Sequence, residues 1–403
     1  MESIKTKELV VLKFGGMPLK TLESMVSAAE IVRYHIQELR QQVVVVVSAM
    51  GNGTNELIVK ARELNLNPSM EALDFLMSTG EQQSAAYFSI VLEGLGISAK
   101  PFTGGAAGIL TDSKFGNGEI LGIDPTRLKL ALELESTPII AGFQGMSKDL
   151  EITTLGRGSS DVTAVLIAAA LNADRCTFYK EASGVMTAHP KYALNATTFP
   201  KLSTEDALIL CNAGSVLDAR SVRAALENNI DLVVKDVRNP VVSGTLISKS
   251  FEKKEGVIGL SVSDNISLIT VNLRDIPWAS TNCLELIEKA RISMDIISQP
   301  IAENGMTNLS FSIDSKNLHA CHAALDTKYN YTVRDDLAKI AIVGNLGEPG
   351  IGNRFSRSMA QAEVNIELQS AGDNSITYLI KKSRLKEAVQ ATHAAFNLDT
   401  PKN

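Results

Sequence analysis

The chain contains few of the residues that cross-link small folds through disulfides or bind structural metals. Its 403 residues include four cysteines, five histidines and one tryptophan. The cysteines are widely spaced and form no CxxC pair, which indicates neither a zinc ribbon nor a disulfide framework. We therefore predict reduced, mostly buried thiols at Cys176, Cys211, Cys283 and Cys321.

The chain also lacks long runs of basic residues and long runs of apolar residues. Lys and Arg number 39 against 45 Asp and Glu, a formal charge of −6, and no basic run is present to follow a phosphate backbone. Nucleic acid is therefore not an expected partner. No stretch of about 18 apolar residues occurs and the N-terminus lacks a secretory pattern, so we expect no membrane segment and a cytoplasmic location.

What the chain has is an ordinary globular composition, with 45% hydrophobic and 21% charged residues. Its length predicts two or three domains. Up to about residue 250, β-branched runs alternate with helical patterns, which is typical of an open, mostly parallel α/β sheet. The valines Val43–Val47 predict a strand buried on both faces, followed by a turn at the edge where such sheets bind ligands.

Four more strands and five helices complete this part of the prediction. The strands are Val10–Lys13, Thr137–Phe143, Arg175–Tyr179 and Leu232–Asp236. The helices are Thr21–Leu39, Glu81–Leu92, Ser160–Leu171, Ser203–Cys211 and Arg220–Asn228.

The rest of the chain carries one pattern twice. Each copy reads as strand, helix, two strands and helix, which predicts two βαββαβ modules of about 70 residues. The charged segment FEKKEG precedes them as a linker. We expect a first domain at 1–250, a linker at 251–258 and modules at 259–332 and 333–403.

The motif KFGG is the first candidate phosphate site, because it directly follows a predicted strand. Gly15 and Gly16 allow backbone amides to approach an anion, and Lys13 adds a positive charge. The alternative is a plain turn.

The motif TTLGRGSSD is the second candidate, because it precedes a helix whose N-terminal amides attract anions. Arg157 can hold a carboxylate through a two-pronged pair, and Asp161 can orient a lysine or a metal. The alternative is an N-cap beside a solvated arginine.

The motif STGEQQS opens a predicted helix and places Glu81 in its first turn. There a carboxylate either interacts with the helix dipole or binds an ammonium group. Ser48 and Thr54 flank the turn after the valine strand. Their hydroxyls either cap the turn or donate to a carboxylate or phosphate.

Five motifs in this order resemble the aspartate kinase family of the amino-acid kinase fold: VVLKFGG, VVVVVSAMGNGTNEL, STGEQQSAA, AGFQG with EITTLGRGSSDVTAV, and SGVMTAHPK. The resemblance covers nearly the whole chain and implies an open, mostly parallel sheet sandwiched by helices, followed by two βαββαβ ACT-like modules. It implies phosphorylation of the L-aspartate side chain with ATP and Mg²⁺, the first step toward lysine, methionine and threonine. No catalytic base is needed, because the acceptor carboxylate is already ionised.

The resemblance also implies roles for individual residues. Lys13 neutralises charge on the transferred phosphoryl group, and Asp161 orients that lysine. The implied substrate contacts are Ser48, Thr54, Glu81 and Arg157. The implied phosphate or nucleotide contacts are Gly15, Gly16, Gly158, Ser159, Tyr179, Lys180, Glu181, Lys191 and Lys235. No protein ligand for a metal is implied, whereas an amino-acid effector and a homodimer formed through the ACT-like modules are.

Several positions depart from the family pattern. Met17–Pro18 replaces a threonine and a serine after the glycine pair, which removes two hydroxyls and one backbone donor. The segment GSVLDARS has Ser215, Asp218 and Ala219 where the family has a lysine and a His-Pro pair. In the first module, Trp278 stands where glycine is usual.

These departures leave two other functions open. One is a specialised relative that phosphorylates another amino-acid carboxylate. The other is a non-catalytic amino-acid sensor on a kinase scaffold. Retention of Lys13 and Asp161 argues against the sensor, because a scaffold that only binds does not need that pair.

Overall fold

The fold was described from a computed structural model, which covers residues 7–156, 158–290, 292–300, 304–326 and 328–400. Within this part of the chain, two compact units are present. One contains the residues up to 186 together with 198–253, and the other contains 187–197 together with the residues from 254 onward.

The first unit contains twelve strands in its described part. They are β1 (Leu9–Phe14), β2 (Gln42–Val47), β3 (Ala99–Phe102), β4 (Ile109–Thr111), β5 (Ile120–Ile123), β6 (Thr137–Ala141), β7 (Gln144–Ser147), β8 (Ile152–Thr154), β9 (Arg175–Lys180), β10 (Lys201–Ser203), β11 (Leu232–Asp236) and β12 (Thr245–Ser248).

Its helices are α1 (Leu22–Gln37), α2 (Gly53–Leu64), α3 (Met70–Gly94), α4 (Thr126–Glu133), α5 (Ser159–Leu171), α6 (Thr204–Asn212) and α7 (Ala219–Asn228). Eight strands form the main sheet in the order β10-β12-β11-β9-β1-β2-β6-β3, with β11–β12 as its antiparallel pairing. A smaller sheet has the order β5-β4-β7-β8. The predicted open, mostly parallel sheet is confirmed.

The valine strand lies where the sequence placed it. Strand β2 pairs in parallel with β1 on one side and β6 on the other. Val43 is 2% exposed and the four valines after it are fully buried. Alternate side chains of β1 and β2 pack with α1 and α3 on one face, and α5 lies against the other. The strand is therefore buried on both faces, as predicted.

The predicted start of the helix at Glu81 is wrong. Helix α3 begins at Met70, where the hydroxyl of Ser69 accepts a hydrogen bond from the amide of Ala72. Glu81 therefore lies in the middle of a 25-residue helix. Because the helix dipole acts within the first turn, it does not explain this carboxylate.

The second unit is built on one six-stranded antiparallel sheet. Its strands are β13 (Gly256–Arg274), β14 (Met294–Ser298), β15 (Met306–Asp314), β16 (Asn330–Asn345), β17 (Leu368–Gly372) and β18 (Ser375–Lys381). Its helices are α8 (Ala279–Lys289), α9 (Leu318–Leu325), α10 (Ile351–Gln361) and α11 (Leu385–Ala395). The sheet order is β14-β15-β13-β16-β18-β17.

Two long strands of this sheet are shared between two βαββαβ modules. The second half of β13 and the first half of β16 belong to the module that contains α8 and α9. The first half of β13 belongs to the module that contains α10 and α11. Leu260 of this half-strand lies in the core of that module. The modules are interleaved, whereas the predicted ranges 259–332 and 333–403 treat them as consecutive.

Residues 187–197 are part of the second unit although they lie between β9 and β10 in sequence. Ala188 and Ala193 are buried in the core around α10 and α11. The amide of Leu260 donates to the carbonyl of Thr187, at 2.7 Å. No helix within the described residues is long and apolar enough to span a lipid bilayer. All four cysteines are buried and unpaired, as predicted.

Candidate active site

Three charged side chains meet at the carboxyl ends of β1 and β9, and we call them the lysine–aspartate cluster. The Nζ atom of Lys13 lies 2.6 Å from Oδ1 of Asp161, and the Nζ atom of Lys180 lies 2.7 Å from Oδ2. Lys13 is the penultimate residue of strand β1, Lys180 is the last residue of β9, and Asp161 lies in the first turn of α5. Residues separated by more than 140 positions along the chain therefore form one ionic site.

The cluster is held almost out of water. Lys13 is 3% exposed and Asp161 is 4% exposed. Burial alone would raise the pKa of Asp161, but the charges of Lys13 and Lys180 outweigh it and lower that pKa to about 2. Burial lowers the pKa of Lys13, and Asp161 opposes this shift. The site is a buried carboxylate shared by two lysines.

The glycine pair after β1 makes a close backbone turn beside this cluster. A Cβ on Gly16 would lie 2.7 Å from the carbonyl oxygen of Ala49 and 2.8 Å from that of Gly51. The amide of Gly51 donates to the carbonyl of Gly16, at 2.8 Å. A Cβ on Gly15 would lie 3.6 Å from Nζ of Lys13. Glycine at 16 is therefore required by packing of the two loops.

Glu81 reaches the same loop from the middle of α3. Its Oε1 atom accepts a hydrogen bond from the amide of Ala49, at 3.1 Å. Its Oε2 atom is buried and has no hydrogen-bond partner among the described residues. Burial raises the pKa of Glu81 to about 7, although the Ala49 amide and the charge of Lys13 act in the opposite direction. A buried carboxylate oxygen without a partner is costly and fits a cationic ligand.

The second glycine-rich segment begins α5. Gly158 caps the helix with a φ of 82°, a left-handed conformation that favours glycine. The hydroxyl of Ser159 donates to the carbonyl of Leu155, at 2.6 Å, so its side chain ties the turn together. Arg157 lies outside the described residues, and its predicted contact with a substrate carboxylate stays a prediction.

Two of the expected nucleotide contacts lie on the opposite face of the sheet. Tyr179 is 1% exposed, its ring stacks on Phe14 at 5.0 Å, and its hydroxyl contacts Nε2 of His35 at 2.8 Å. Lys235 is paired with Tyr179 across β11 and β9, so it shares that face. Its Nζ donates to the carbonyl of Pro240, at 3.0 Å. The structure therefore does not bring Tyr179 or Lys235 to the lysine–aspartate cluster.

The other expected contacts are placed as follows. Ser48 is half-buried directly after β2, and Thr54 is half-buried in the first turn of α2. Glu181 is exposed directly after Lys180. Lys191 belongs to the second unit, where it forms an ion pair with Asp264 at 3.0 Å.

One buried carboxylate near the second glycine segment was missed by the sequence analysis. Asp74 of α3 is fully buried and accepts hydrogen bonds from the amide and hydroxyl of Thr154, both at 2.7 Å. It also accepts one from the amide of Gly116, at 2.8 Å. It fixes the end of β8, from which the glycine-rich turn departs. A lone aspartate in an unrecognised stretch of helix gives no sequence signal for such a contact.

Known proteins match both units. Residues 8–236 match the amino acid kinase family and residues 340–396 match the ACT domain. The chain is 36% identical to an aspartokinase of Corynebacterium glutamicum, over 97% of this chain and 96% of the relative. It is 35% identical to aspartokinase 2 of Bacillus subtilis, over 97% of this chain and 98% of the relative.

A solved structure has the same fold over nearly the whole length. Aspartokinase III of E. coli, in complex with aspartate and ADP, has a TM-score of 0.76 and 22% identity, and the match covers 97% of this chain and 100% of that one. The sequence relatives are similar enough, and cover enough of the chain, to establish membership. This chain belongs to the aspartokinase group of the amino acid kinase family.

Proposed function

We propose that this chain transfers the terminal phosphoryl group of ATP to the side-chain carboxylate of L-aspartate, giving 4-phospho-L-aspartate and ADP. The observation that carries the proposal is the sharing of Asp161 by Lys13 and Lys180, at 2.6 and 2.7 Å. Two lysines and one carboxylate leave one net positive charge, which suits the charge that spreads over the oxygens of a phosphoryl group in transfer.

The reaction then needs alignment and charge neutralisation. A carboxylate oxygen of the acceptor forms the new bond to phosphorus, and the bond to the ADP oxygen breaks. The acceptor is ionised at neutral pH, so no residue has to remove a proton. Lys13 and Lys180 hold charge on the phosphoryl oxygens, while Asp161 keeps both lysines in place and is not itself a base, since its pKa is about 2.

Glu81 is the proposed partner of the substrate ammonium group. Within the part of the chain that the structure describes, its buried Oε2 lacks a partner, and an ammonium group would supply one. Arg157 is the proposed partner of the α-carboxylate, because a guanidinium pairs with a carboxylate through two hydrogen bonds. Ser48 and Thr54, at the same carboxyl edge of the sheet, are proposed to place the amino acid.

The nucleotide is proposed to lie with its phosphates near Gly15, Gly16, Gly158 and Ser159. The two lysines and the first turn of α5 fit polyphosphate, since helix N-termini and cations both attract it. Among the described residues, no group of three or more His, Cys, Asp or Glu is placed to hold a metal ion. Mg²⁺ is thus expected to be held largely by the phosphates, whose charge it neutralises when bound.

The second unit is proposed to bind a small amino-acid effector and to form a homodimer. Its match to the ACT domain supports the first part. Strands β14 and β17 are the two edges of the six-stranded sheet, and such edges offer unpaired backbone groups to a second copy. Light scattering in solution tests the dimer, and a monomer at all concentrations would contradict it.

A hydroxylamine-trapping assay tests the proposed reaction. Purified protein with ATP, Mg²⁺ and L-aspartate should yield aspartyl hydroxamate, and L-glutamate should yield far less. Lys13→Ala should abolish the product, whereas Lys129→Ala, at an exposed lysine of α4, should not. Absence of product from aspartate at every Mg²⁺ concentration would count against the proposal. Product from another acceptor alone would indicate the specialised relative.

A further inference from the structure

The side chain of Gln144 joins the smaller sheet of the first unit to the middle of α3. Gln144 is the first residue of β7 and is 1% exposed. Its Nε2 atom donates to the carbonyl of Ser78, at 2.9 Å, and its Oε1 atom accepts from Nε2 of Gln82, at 3.1 Å. Nε2 of Gln82 also donates to the hydroxyl of Ser78, at 3.2 Å. Both ends of the Gln144 amide are therefore bonded to one turn of α3, and Glu81 lies in that turn.

A strained residue directs Gln144 to this place. Phe143, the residue before it, has a φ of 68°, a conformation that bulky side chains rarely adopt. Its amide donates to Oγ1 of Thr163, at 3.3 Å, and its ring lies in a small buried cluster with Leu73 and Met77 of α3. Strain of this kind persists only where surrounding contacts fix it, and it is common at functional sites.

The opposite side of α3 is in contact with the loop after β2. A Cβ on Gly80 would lie 3.0 Å from the Cβ of Ala49, so the helix and the loop approach closely. Successive residues of a helix are about 100° apart around its axis, so Ser78 and Gln82 lie on one side of α3 and Gly80 on the other. The helix is therefore held between Gln144 and the loop.

Glu81 depends on these contacts for its position. One oxygen of its carboxylate accepts from the amide of Ala49, at 3.1 Å, and the other has no partner among the described residues. A single hydrogen bond does not prevent α3 from rotating, whereas the bonds of Gln144 on the neighbouring turn do. A shift of about 1 Å in a group that places the substrate can cost roughly 10²-fold in rate.

We propose that Gln144 is a positioning residue for recognition of the acceptor: its amide holds the turn 78–82 of α3 so that Glu81 meets the ammonium group. The proposal rests on the proposed function, because Glu81 is assigned to that group there. Gln144 acts on the acceptor through α3. Its loss should therefore weaken binding of aspartate more than it slows phosphoryl transfer.

Steady-state kinetics of Gln144→Met test this role. Methionine has a similar volume and fills the space, whereas both hydrogen bonds of the amide are lost. We expect the KM for aspartate to rise about tenfold, with kcat and the KM for ATP changed less than about threefold. Gln82→Met should give a smaller rise, because Nε2 of Gln144 still bonds to Ser78. An unchanged KM for aspartate in Gln144→Met would overturn the proposal.

Thr111→Val is the matched control for lost stability. Thr111 lies on β4 in the same small sheet, and its buried hydroxyl bonds to that of Thr153, at 2.6 Å. The variant removes a buried side-chain hydrogen bond and should lower the melting temperature by an amount similar to that in Gln144→Met, with an unchanged KM for aspartate. An equal rise of the KM in both variants would overturn the positioning role, because general loss of stability would explain it.

A double-mutant cycle with Glu81→Gln tests whether Gln144 acts through Glu81. Once residue 81 no longer pairs with the ammonium group, its exact position has little further effect on binding. Gln144→Met should therefore raise the KM for aspartate about tenfold in the parent and less than about twofold in Glu81→Gln. Additive effects would overturn the proposal, because Gln144 would then act on aspartate by another route.

Hydrogen exchange in the free protein separates this proposal from the assigned reaction. The amide of Ala49 donates to Oε1 of Glu81, so its exchange rate indicates whether Glu81 is in place. In Gln144→Met this amide should exchange faster than in the parent, whereas those of β9 should not change. An unchanged rate would overturn the positioning role, whichever acceptor the protein uses. Faster exchange in the variant, together with no aspartyl phosphate from the parent, would support the positioning of Glu81 by Gln144 and count against the proposed function alone.

Discussion

Nζ of Lys180 lies 2.7 Å from Oδ2 of Asp161, the carboxylate whose other oxygen lies 2.6 Å from Lys13. Lys180 and Tyr179 are neighbours on β9, so their side chains point to opposite faces of the sheet. Tyr179 lies in the core on the other face, and Lys180 therefore points to this site. One carboxylate thus orders two cations from separate strands. We therefore expect Lys180 to be as important for the proposed phosphoryl transfer as Lys13.

We expect Lys180→Met to lower kcat by roughly 10²-fold, with the KM for aspartate nearly unchanged. The reason is loss of a positioned charge that acts on the transferred group, and removal of one such stabilising group costs about that much. Steady-state assays would show it. Lys129→Met is the matched control, and a kcat for Lys180→Met equal to that of the control would contradict the role.

Asp161→Asn should lower the stability of the fold as well as the activity. It leaves the buried Lys13 and the half-buried Lys180 without their shared counter-charge. Removing one partner of a buried ion pair costs about 3–5 kcal/mol. Urea unfolding near pH 7 measures the loss. The double variant Asp161→Asn with Lys180→Met should recover part of it, because one uncompensated charge is removed. A double variant less stable than Asp161→Asn would argue against this electrostatic account.

The main sheet could be predicted from strong local signals, whereas the pairing of Lys13 with Asp161 was implied by the family resemblance. Val43–Val47 reads as a doubly buried strand, and a charged residue at the end of a strand points to the carboxyl edge of the sheet. The face on which Tyr179 lies could not be read from its motif. That face depends on which residues of β9 point to each side of the sheet. A shift of one residue in this alternation would move Tyr179 to the other face.

The extent of α3 and the interleaving of the modules were harder to foresee. The internal Ser78-Thr79-Gly80 is typical of a break between elements, yet packing carries the helix through it. The exchange of half-strands between β13 and β16 depends on contacts between residues some 80 positions apart. No local pattern contains that information.

The KM for aspartate should depend on pH through Glu81. Its pKa is about 7 in the free protein, and an ammonium ligand binds only to the ionised carboxylate. The KM should therefore fall about tenfold from pH 6 to pH 8, since one titrating group controls binding. Glu81→Gln should raise the KM and flatten this profile. A profile unchanged by the substitution would exclude Glu81 as the ammonium partner.

The same group should lower the stability of the free protein as pH rises. Because the folded pKa of about 7 lies above the unfolded value, the folded state binds more protons between them, and its stability decreases with rising pH up to about 7. Glu81→Gln removes this dependence and should be more stable than the parent at pH 8. Saturating aspartate should reverse the order. Equal melting temperatures of the two free proteins at pH 8 would contradict the prediction.

Trp278 offers a test of backbone strain in the second unit. It caps α8 with a φ of 74°, and Gly350 caps α10 in the other module with a φ of 95°. The carbonyls of both residues accept the first helical hydrogen bond, at 2.8 and 2.9 Å. Only the glycine adopts this backbone without strain. Trp278 is 72% exposed, so its side chain buries little that would offset the cost.

Trp278→Gly should therefore stabilise the protein by roughly 0.5–1 kcal/mol. A left-handed backbone at a residue other than glycine lowers the stability of the folded state by roughly 1–2 kcal/mol. Glycine removes this strain, but its greater conformational freedom in the unfolded chain offsets part of the stabilisation. Gly350→Ala is the reverse control. No atom of the described residues lies within 4 Å of its added Cβ, so any loss of stability there is conformational. Urea unfolding measures both, and destabilisation by Trp278→Gly would show that the indole makes contacts that outweigh the strain.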